Sequence, residues 1–251
     1  MKSRVLEASV KYDFDTMTYT YGDEYGGVEL IDHMGHDYTA VDAARISYGR
    51  DRTSLETLTQ EQANKNDKLL KYLLDNKHTS PFEHAIITFK ITTPLVISKQ
   101  IMRHRTFSYN ELSRRYTSRD VKFFLPKKIR EQSKTNLQSS ENLNKMKELT
   151  LDPISPWRSP VDDIEDAYDL SLQTYEALIS AGVAREQARM VLPGATYTSF
   201  WMTGNLHNWI KFLVLRIAPD AQEEVRVVAR AIYSYLELLF PKTMALVETQ
   251  N

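Results

Sequence analysis

Between Ala85 and Thr92 the chain alternates Ile87, Phe89 and Ile91 with Thr88, Lys90 and Thr92, the period of a strand with one buried and one wetted face. Such a strand needs a cover for its apolar side, and most of the remaining pattern is helical. From Asp37 to Ser47, Val41, Ala44 and Tyr48 recur at helical spacing, and from Thr59 to Asn76 a buried face is formed by Leu69, Leu70, Leu73 and Leu74. Pro94 opens a helix expected to run through Leu95 to about Arg105, with Ile97 and Ile101 on one face. Gln100, Arg103 and His104 then sit near its C-terminal end, where positive charge is tolerated.

The C-terminal third reads as helical. Asp162 to Ala181 stops at Gly182 as a C-cap, Ala184 to Val191 stops before Pro193, and two more helices follow. The last is expected to start after Pro219, with Asp220 and Glu223 as a capping box and Val225, Val228, Ile232, Tyr235 and Leu239 as its apolar stripe. The first 37 residues are turn-rich and aromatic, with Tyr19-Thr20-Tyr21 as a short surface strand and Gly22, Gly26, Gly27 and Gly35 as breaks. Residues 127–160 are polar as far as Thr150, after which Pro153, Pro156 and Pro160 bracket Trp157; this reads as an insertion with a helix of its own or a mobile flap. With 251 residues, 42% of them hydrophobic and 26% charged, one domain spanning 1–251 is expected.

Composition removes several chemistries. There is no cysteine, so disulfides, thiolate metal sites, iron–sulfur clusters and cysteine nucleophiles are all excluded. Eight glycines form no phosphate loop of the dinucleotide or Walker type, so phosphates must be held by side chains or helix ends. The net charge of −1 gives no global attraction to nucleic acid or membrane, and no run of about 18 apolar residues occurs. The start, Met1-Lys2-Ser3-Arg4-Val5-Leu6-Glu7, lacks the apolar core of a signal peptide, and the protein is read as cytoplasmic.

One segment stands out chemically. Arg103-His104-Arg105-Thr106-Phe107-Ser108-Tyr109-Asn110-Glu111-Leu112-Ser113-Arg114-Arg115-Tyr116 holds four arginines, a histidine, a glutamate, two serines and two tyrosines in fourteen positions. Guanidinium forks this close repel one another unless solvent or a polyanion compensates them, so a phosphorylated ligand is the natural candidate. An arginine-rich contact with nucleic acid is the alternative, with five arginines against one acid over residues 103–119, but lysine clusters and net positive charge are missing. Ser113 lacks the paired base that would make it a nucleophile. His78, Ser80, Glu83 and His84, like His33 with His36, match no strong zinc spacing, and no metal site is expected. Arg216 is conspicuous because it follows Phe212, Leu213, Val214 and Leu215.

Three stretches together resemble the flavin-dependent thymidylate synthases. They are Arg103-His104-Arg105 followed after seven residues by Ser113 and then Arg115-Tyr116; His78-Thr79-Ser80-Pro81-Phe82-Glu83-His84; and Ala188-Arg189-Met190-Val191-Leu192-Pro193 continuing to Leu215-Arg216. The resemblance covers most of the chain between about residue 40 and residue 240. It implies an α/β fold of the α+β type, a mixed domain with a small antiparallel sheet and several long helices, assembled as a homotetramer whose active sites are shared between subunits. The implied reaction converts deoxyuridine monophosphate, dUMP, to thymidylate, with methylenetetrahydrofolate as carbon donor, NADPH as reductant and FAD as obligatory carrier. Methylation of uracil through a thiolate adding to C6 is closed to a chain without cysteine, which agrees with a flavin route.

By the same resemblance Ser80, Arg103, His104, Arg105, Glu111, Asn205, His207 and Lys211 contact the flavin dinucleotide. Gln100, Arg103, Glu111, Leu112, Ser113, Arg114, Arg115, Arg189 and Arg216 contact dUMP, and His78 shapes the pocket where folate or the nicotinamide reaches the flavin. Arg216 is the catalytic residue, its cation stabilising negative charge on the N3 and carbonyl side of uracil. His207 stands where the family commonly has arginine, and Lys211 where it has asparagine or histidine; both keep donor capacity. Neither nucleic acid nor membrane is an implied partner. A nucleotide- or RNA-binding protein without catalysis, or a flavoenzyme acting on another pyrimidine nucleotide, would use the same arginines.

Overall fold

The computed structural model describes residues 19–20, 23–49, 55, 58–127, 129–133, 136, 140–142 and 159–248. A five-stranded antiparallel sheet is built from β1 (Tyr19–Thr20), β2 (Gly27–Met34), β3 (Ile86–Pro94), β4 (Ser108–Glu111) and β7 (Tyr197–Asn205), in the order β1-β2-β3-β7-β4. Separately, β5 (Arg130–Gln132) and β6 (Ser140–Asn142) pair as a small antiparallel ribbon. The helices are α1 (Thr39–Arg45), α2 (Gln60–Asp75), α3 (Leu95–Ile101), α4 (Pro160–Ser180), α5 (Arg185–Ala188), α6 (Leu206–Arg216), α7 (Glu223–Leu239) and α8 (Pro241–Glu248). No described helix is long and apolar enough to cross a membrane.

The alternation in β3 does what its period requires. Ile87, Phe89 and Ile91 are fully buried, while Thr88 and Thr92 bond across the outer face to Thr203 (2.9 Å) and Ser199 (2.8 Å), and Lys90 reaches Glu29 (2.9 Å). Helices α6 and α7 cover the apolar face. Trp209 stands edge-on to Phe89 at 5.1 Å and donates its indole N–H to the Ile87 carbonyl, and Tyr235 lies 5.4 Å from Phe89 and donates its hydroxyl to the Val28 carbonyl. Aromatic pairs of this kind contribute about 0.5–1.5 kcal/mol each beyond the area they bury.

Several expected boundaries move, each for a local reason. The C-terminal third is not wholly helical: β7 lies in it, between β3 and β4, with Phe200 and Met202 in the core. Its alternation is masked because Tyr197 and Thr198 are both buried at its start, whereas Trp201 is exposed. The turn-rich N-terminal stretch contains β2, a full partner of β3, bulged between Leu30 and Asp32 and deeply buried only at Val28. Helix α3 ends at Ile101 rather than near Arg105, since the amides of Arg103 and His104 bond three residues back and turn the chain toward β4.

Capping differs too. Helix α4 starts at Pro160, capped by a box between Ser159 and Asp162, and Gly182 at φ +83° follows its end. The box expected at Asp220 and Glu223 does not form, because α7 begins at Glu223 after Gln222 and the Glu223 carboxylate pairs with Arg226 and Arg230. The unexpected helix α8 is capped from far away: Asp37 accepts from the Thr243 amide and hydroxyl, each at 2.8 Å, and from the Lys242 amide at 3.1 Å. The strands described within the 127–160 segment are those of the β5–β6 ribbon, and Pro160 at its end opens α4; its expected helix or flap, like Tyr21, Gly22 and Trp157, falls outside the described residues.

Candidate active site

Beyond the end of β4 the chain continues alongside β7, with the Leu112 amide bonded to the Ser199 carbonyl at 2.8 Å. This register opens a cavity of about 410 Å³ lined by Leu95 and Lys99 of α3, Glu111, Leu112, Ser113 and Arg114, Glu186 of α5, Arg189, Met190 and Leu192, and Thr196, Tyr197 and Thr198. Glu111 accepts from the Thr198 hydroxyl (3.1 Å) and the Lys99 ammonium (3.4 Å), and the Ser98 hydroxyl, which the Leu95 carbonyl shares at 3.0 Å, lies 3.3 Å away. The Ser113 oxygen accepts from the Arg115 amide at 3.3 Å, a local turn with no base in attendance. Arg114 spends two donors on its own loop, at the carbonyls of Arg119 and Asp120, and burial lowers its pKa. Arg115 lies 3.9 Å from Glu186, both more than half exposed, which is too weak a pair to stop either from turning to a ligand.

A second cluster forms where the turn after α3 meets the end of α6. Arg216 donates from Nε to His104 Nε2 at 2.9 Å and from Nη2 to the Gln100 carbonyl at 3.4 Å. Phe212 packs edge-on against the His104 ring at 4.8 Å. Burial first, then the charges of Arg216 and Lys211, push the imidazole from 6.5 down to about 4, so it is neutral at pH 7 and carries its proton on Nδ1. Tyr109 donates to the carbonyls of His104 (2.8 Å) and Ile101 (3.3 Å), and burial pushes its phenol upward, keeping it a donor. Asn208 holds the Thr106 carbonyl at 3.1 Å. Arg103 and Arg105 therefore project, exposed, from a turn tied down on both sides.

The depressed value of His104 predicts a stability profile. Protonation is penalised only in the folded chain, so stability is unaffected above about pH 6.5 and is lost as pH falls from there toward about 4. Denaturation midpoints of the flavin-free protein should drop more steeply between about pH 7 and about pH 5 than those of His104→Gln; parallel profiles would show that this ring does not titrate as described.

Of the other expected flavin contacts, Glu111 lines the cavity already described, and Ser80, Asn205, His207 and Lys211 lie near the start of α6. The 3₁₀ turn Ser80–His84 packs against α6 and β7, and the Leu206 amide bonds to the Ala85 carbonyl at 2.9 Å, so exposed Ser80 and the head of α6 belong to one region. Asn205 is first of all the N-cap of α6, accepting from the Asn208 amide at 2.9 Å. His207 and Lys211 are four residues apart and share a helix face. His78 is exposed and stacks edge-on with Tyr72 at 5.6 Å.

The expected nucleotide residues thus divide. Glu111, Leu112, Ser113, Arg114 and Arg189 line the cavity, with Arg115 beside it, while Gln100 and Arg216 sit in the second cluster; neighbours Lys99 and Gln100 send α3 into both. Lys99, Glu186, Thr198 and Asn208 carry no signal in the sequence, since each is an ordinary polar residue until folding supplies its partner.

The comparisons with known proteins point in one direction. Residues 29–242 match the family described as thymidylate synthase complementing protein. A flavin-dependent thymidylate synthase of Thermus thermophilus is 40% identical over 89% of this chain and 76% of its own length, and one of Pseudothermotoga lettingae is 39% identical over 87% and 88%. Among solved structures, the UMP/dUMP methylase PolB of Streptomyces cacaoi bound with 5-Br UMP superposes with a TM-score of 0.73 at 29% identity, covering 88% of this chain and 93% of that one.

Proposed function

The chain belongs to the flavin-dependent thymidylate synthase family, and on that premise we propose the route by which it methylates dUMP to thymidylate: methylenetetrahydrofolate supplies the carbon and NADPH the electrons, with FAD as the carrier. The observation that carries the reading is the pinned turn at Arg103–Arg105, which offers two exposed guanidinium forks beside a neutral imidazole, a donor set suited to a dinucleotide's pyrophosphate. Ser80, Asn205, His207 and Lys211 extend that edge along the start of α6. When bound, the flavin supplies the redox and one-carbon carrier chemistry that no side chain here can.

The protein's own residues bind, orient and charge the site. Arg115 and Arg189, exposed at the cavity, grip the nucleotide phosphate, and Ser113 and the fixed Glu111 orient the sugar. Arg216 takes the place of the missing thiolate. Its Nε is committed to His104 and its Nη2 to the Gln100 carbonyl, which leaves the Nη1 edge for uracil. A preorganised cation there stabilises negative charge on the N3 and carbonyl side of the ring, a contribution of about 3 kcal/mol for one donor. The division of the nucleotide residues over two clusters supports a homotetramer whose active sites are completed between subunits. A cytoplasmic setting suits the soluble co-substrates.

Tritium release from dUMP labelled at C5 tests the reaction. Release that stops when either FAD or NADPH is withheld from flavin-stripped enzyme is the expected result; no release from enzyme carrying flavin would refute it. Arg115→Ala and Arg189→Ala should each raise the dUMP KM about 10- to 100-fold, the worth of a charge-assisted hydrogen bond. An unchanged KM in both would remove these residues from the phosphate site.

A further inference from the structure

Glu224, on the first turn of α7, is 8% exposed and lies outside both clusters described above. Arg130, on the β5–β6 ribbon, places one guanidinium nitrogen 2.8 Å from each of its carboxylate oxygens. Gln222 donates from Nε2 to Glu224 Oε2 at 2.8 Å, and its Oε1 accepts from Nε2 of Gln100. Gln222 occupies the N-cap position of α7 yet makes no cap bond, because its side chain serves this line instead.

The polarity of the line is forced from one end. An ionised carboxylate only accepts, so Gln222 must turn its nitrogen to Glu224 and its oxygen to Gln100. Gln100 must then donate its nitrogen to Gln222. The two ends of an amide are nearly the same shape, and without a fixed charge either flip would fill the space. Glu224 therefore selects one flip for two glutamines in succession, and Gln100 is left with its side-chain amide oxygen, Oε1, as the end that Gln222 does not take.

We propose that Glu224, relayed through Gln222, is a positioning residue that sets the Gln100 amide so that its oxygen faces the nucleotide and accepts from an N–H or O–H donor there. This rests on the reading of Gln100 as a dUMP residue. The 127–160 segment takes part through Arg130, which holds the carboxylate that begins the relay.

Glu224→Gln keeps the shape and removes the forced polarity. In the flavin-loaded enzyme the expected result is a dUMP KM raised about tenfold, with kcat and flavin absorbance close to wild type. Adding Gln222→Glu to that variant returns an acceptor-only group beside Gln100, and the double variant should recover most of the lost KM. Gln222→Met leaves the Arg130–Glu224 pair intact and should raise KM as Glu224→Gln does, which decides the matter if the buried glutamine is not tolerated. A wild-type KM in Glu224→Gln or in Gln222→Met, or a double variant no better than Glu224→Gln, overturns the relay. Absence of tritium release from wild-type enzyme would instead overturn the reaction itself, and the relay with it.

Discussion

Arg216→Lys is expected to lower kcat about 100-fold while the dUMP KM moves only a few-fold, because the donor removed matters chiefly once charge develops on the ring. Arg216 is a three-way fork: one nitrogen is spent on His104 and one on the Gln100 backbone carbonyl, and neither of these bonds uses the third, Nη1. A lysine ammonium is a single point charge on a flexible stem and cannot hold two anchors while presenting a third donor. Burial already lowers the guanidinium's pKa, so the site tolerates this cation because it is anchored, not because it is solvated. Loss of dUMP affinity with kcat unchanged would make Arg216 a binding group and remove it from the chemistry.

Gly204→Ala should unfold the protein about 5–10 °C earlier, from an overpacking cost of about 2–3 kcal/mol in a chain of this size. An added Cβ would stand 2.3 and 2.5 Å from two ring carbons of Phe107. That ring packs edge-on against Trp209 at 4.6 Å and Phe212 at 6.4 Å, so moving it disturbs both. Phe107 follows directly on the Arg103–Thr106 turn, so the displacement should also reach the proposed flavin site. Melting temperature and visible flavin absorbance are the two readouts, and Phe107→Leu in the Gly204→Ala background should recover part of both. A wild-type melting temperature in Gly204→Ala would show that the ring can move aside.

Burial on one side writes a period into the chain, and where that happened the elements could be read directly. Ile87, Phe89 and Ile91 marked β3, and Val225, Val228, Ile232 and Tyr235 marked the face of α7. Strand β7 was hidden because Tyr197 and Thr198 are buried together while Trp201 is exposed, a pattern set by its neighbours on either side. The cap of α8 was equally illegible, since Asp37 and Thr243 are 206 residues apart. At the site, the arginines declared themselves by density, whereas Gln222, Glu224 and Arg130 are unremarkable in isolation and acquire meaning only in contact.

The amino-acid sequence by itself determined which chemistry was open: no thiolate, no phosphate loop, a dense arginine segment, and a strand with one face to cover. Those properties belong to residue types and to short-range order, which survive without knowledge of the fold. Tertiary structure alone decided that His104 is neutral, that Arg216 is anchored at two of its nitrogens, and that the Gln100 amide nitrogen is taken by Gln222. Burial and the choice of hydrogen-bond partner are set by groups distant along the chain, and a side chain's protonation and polarity follow from that company.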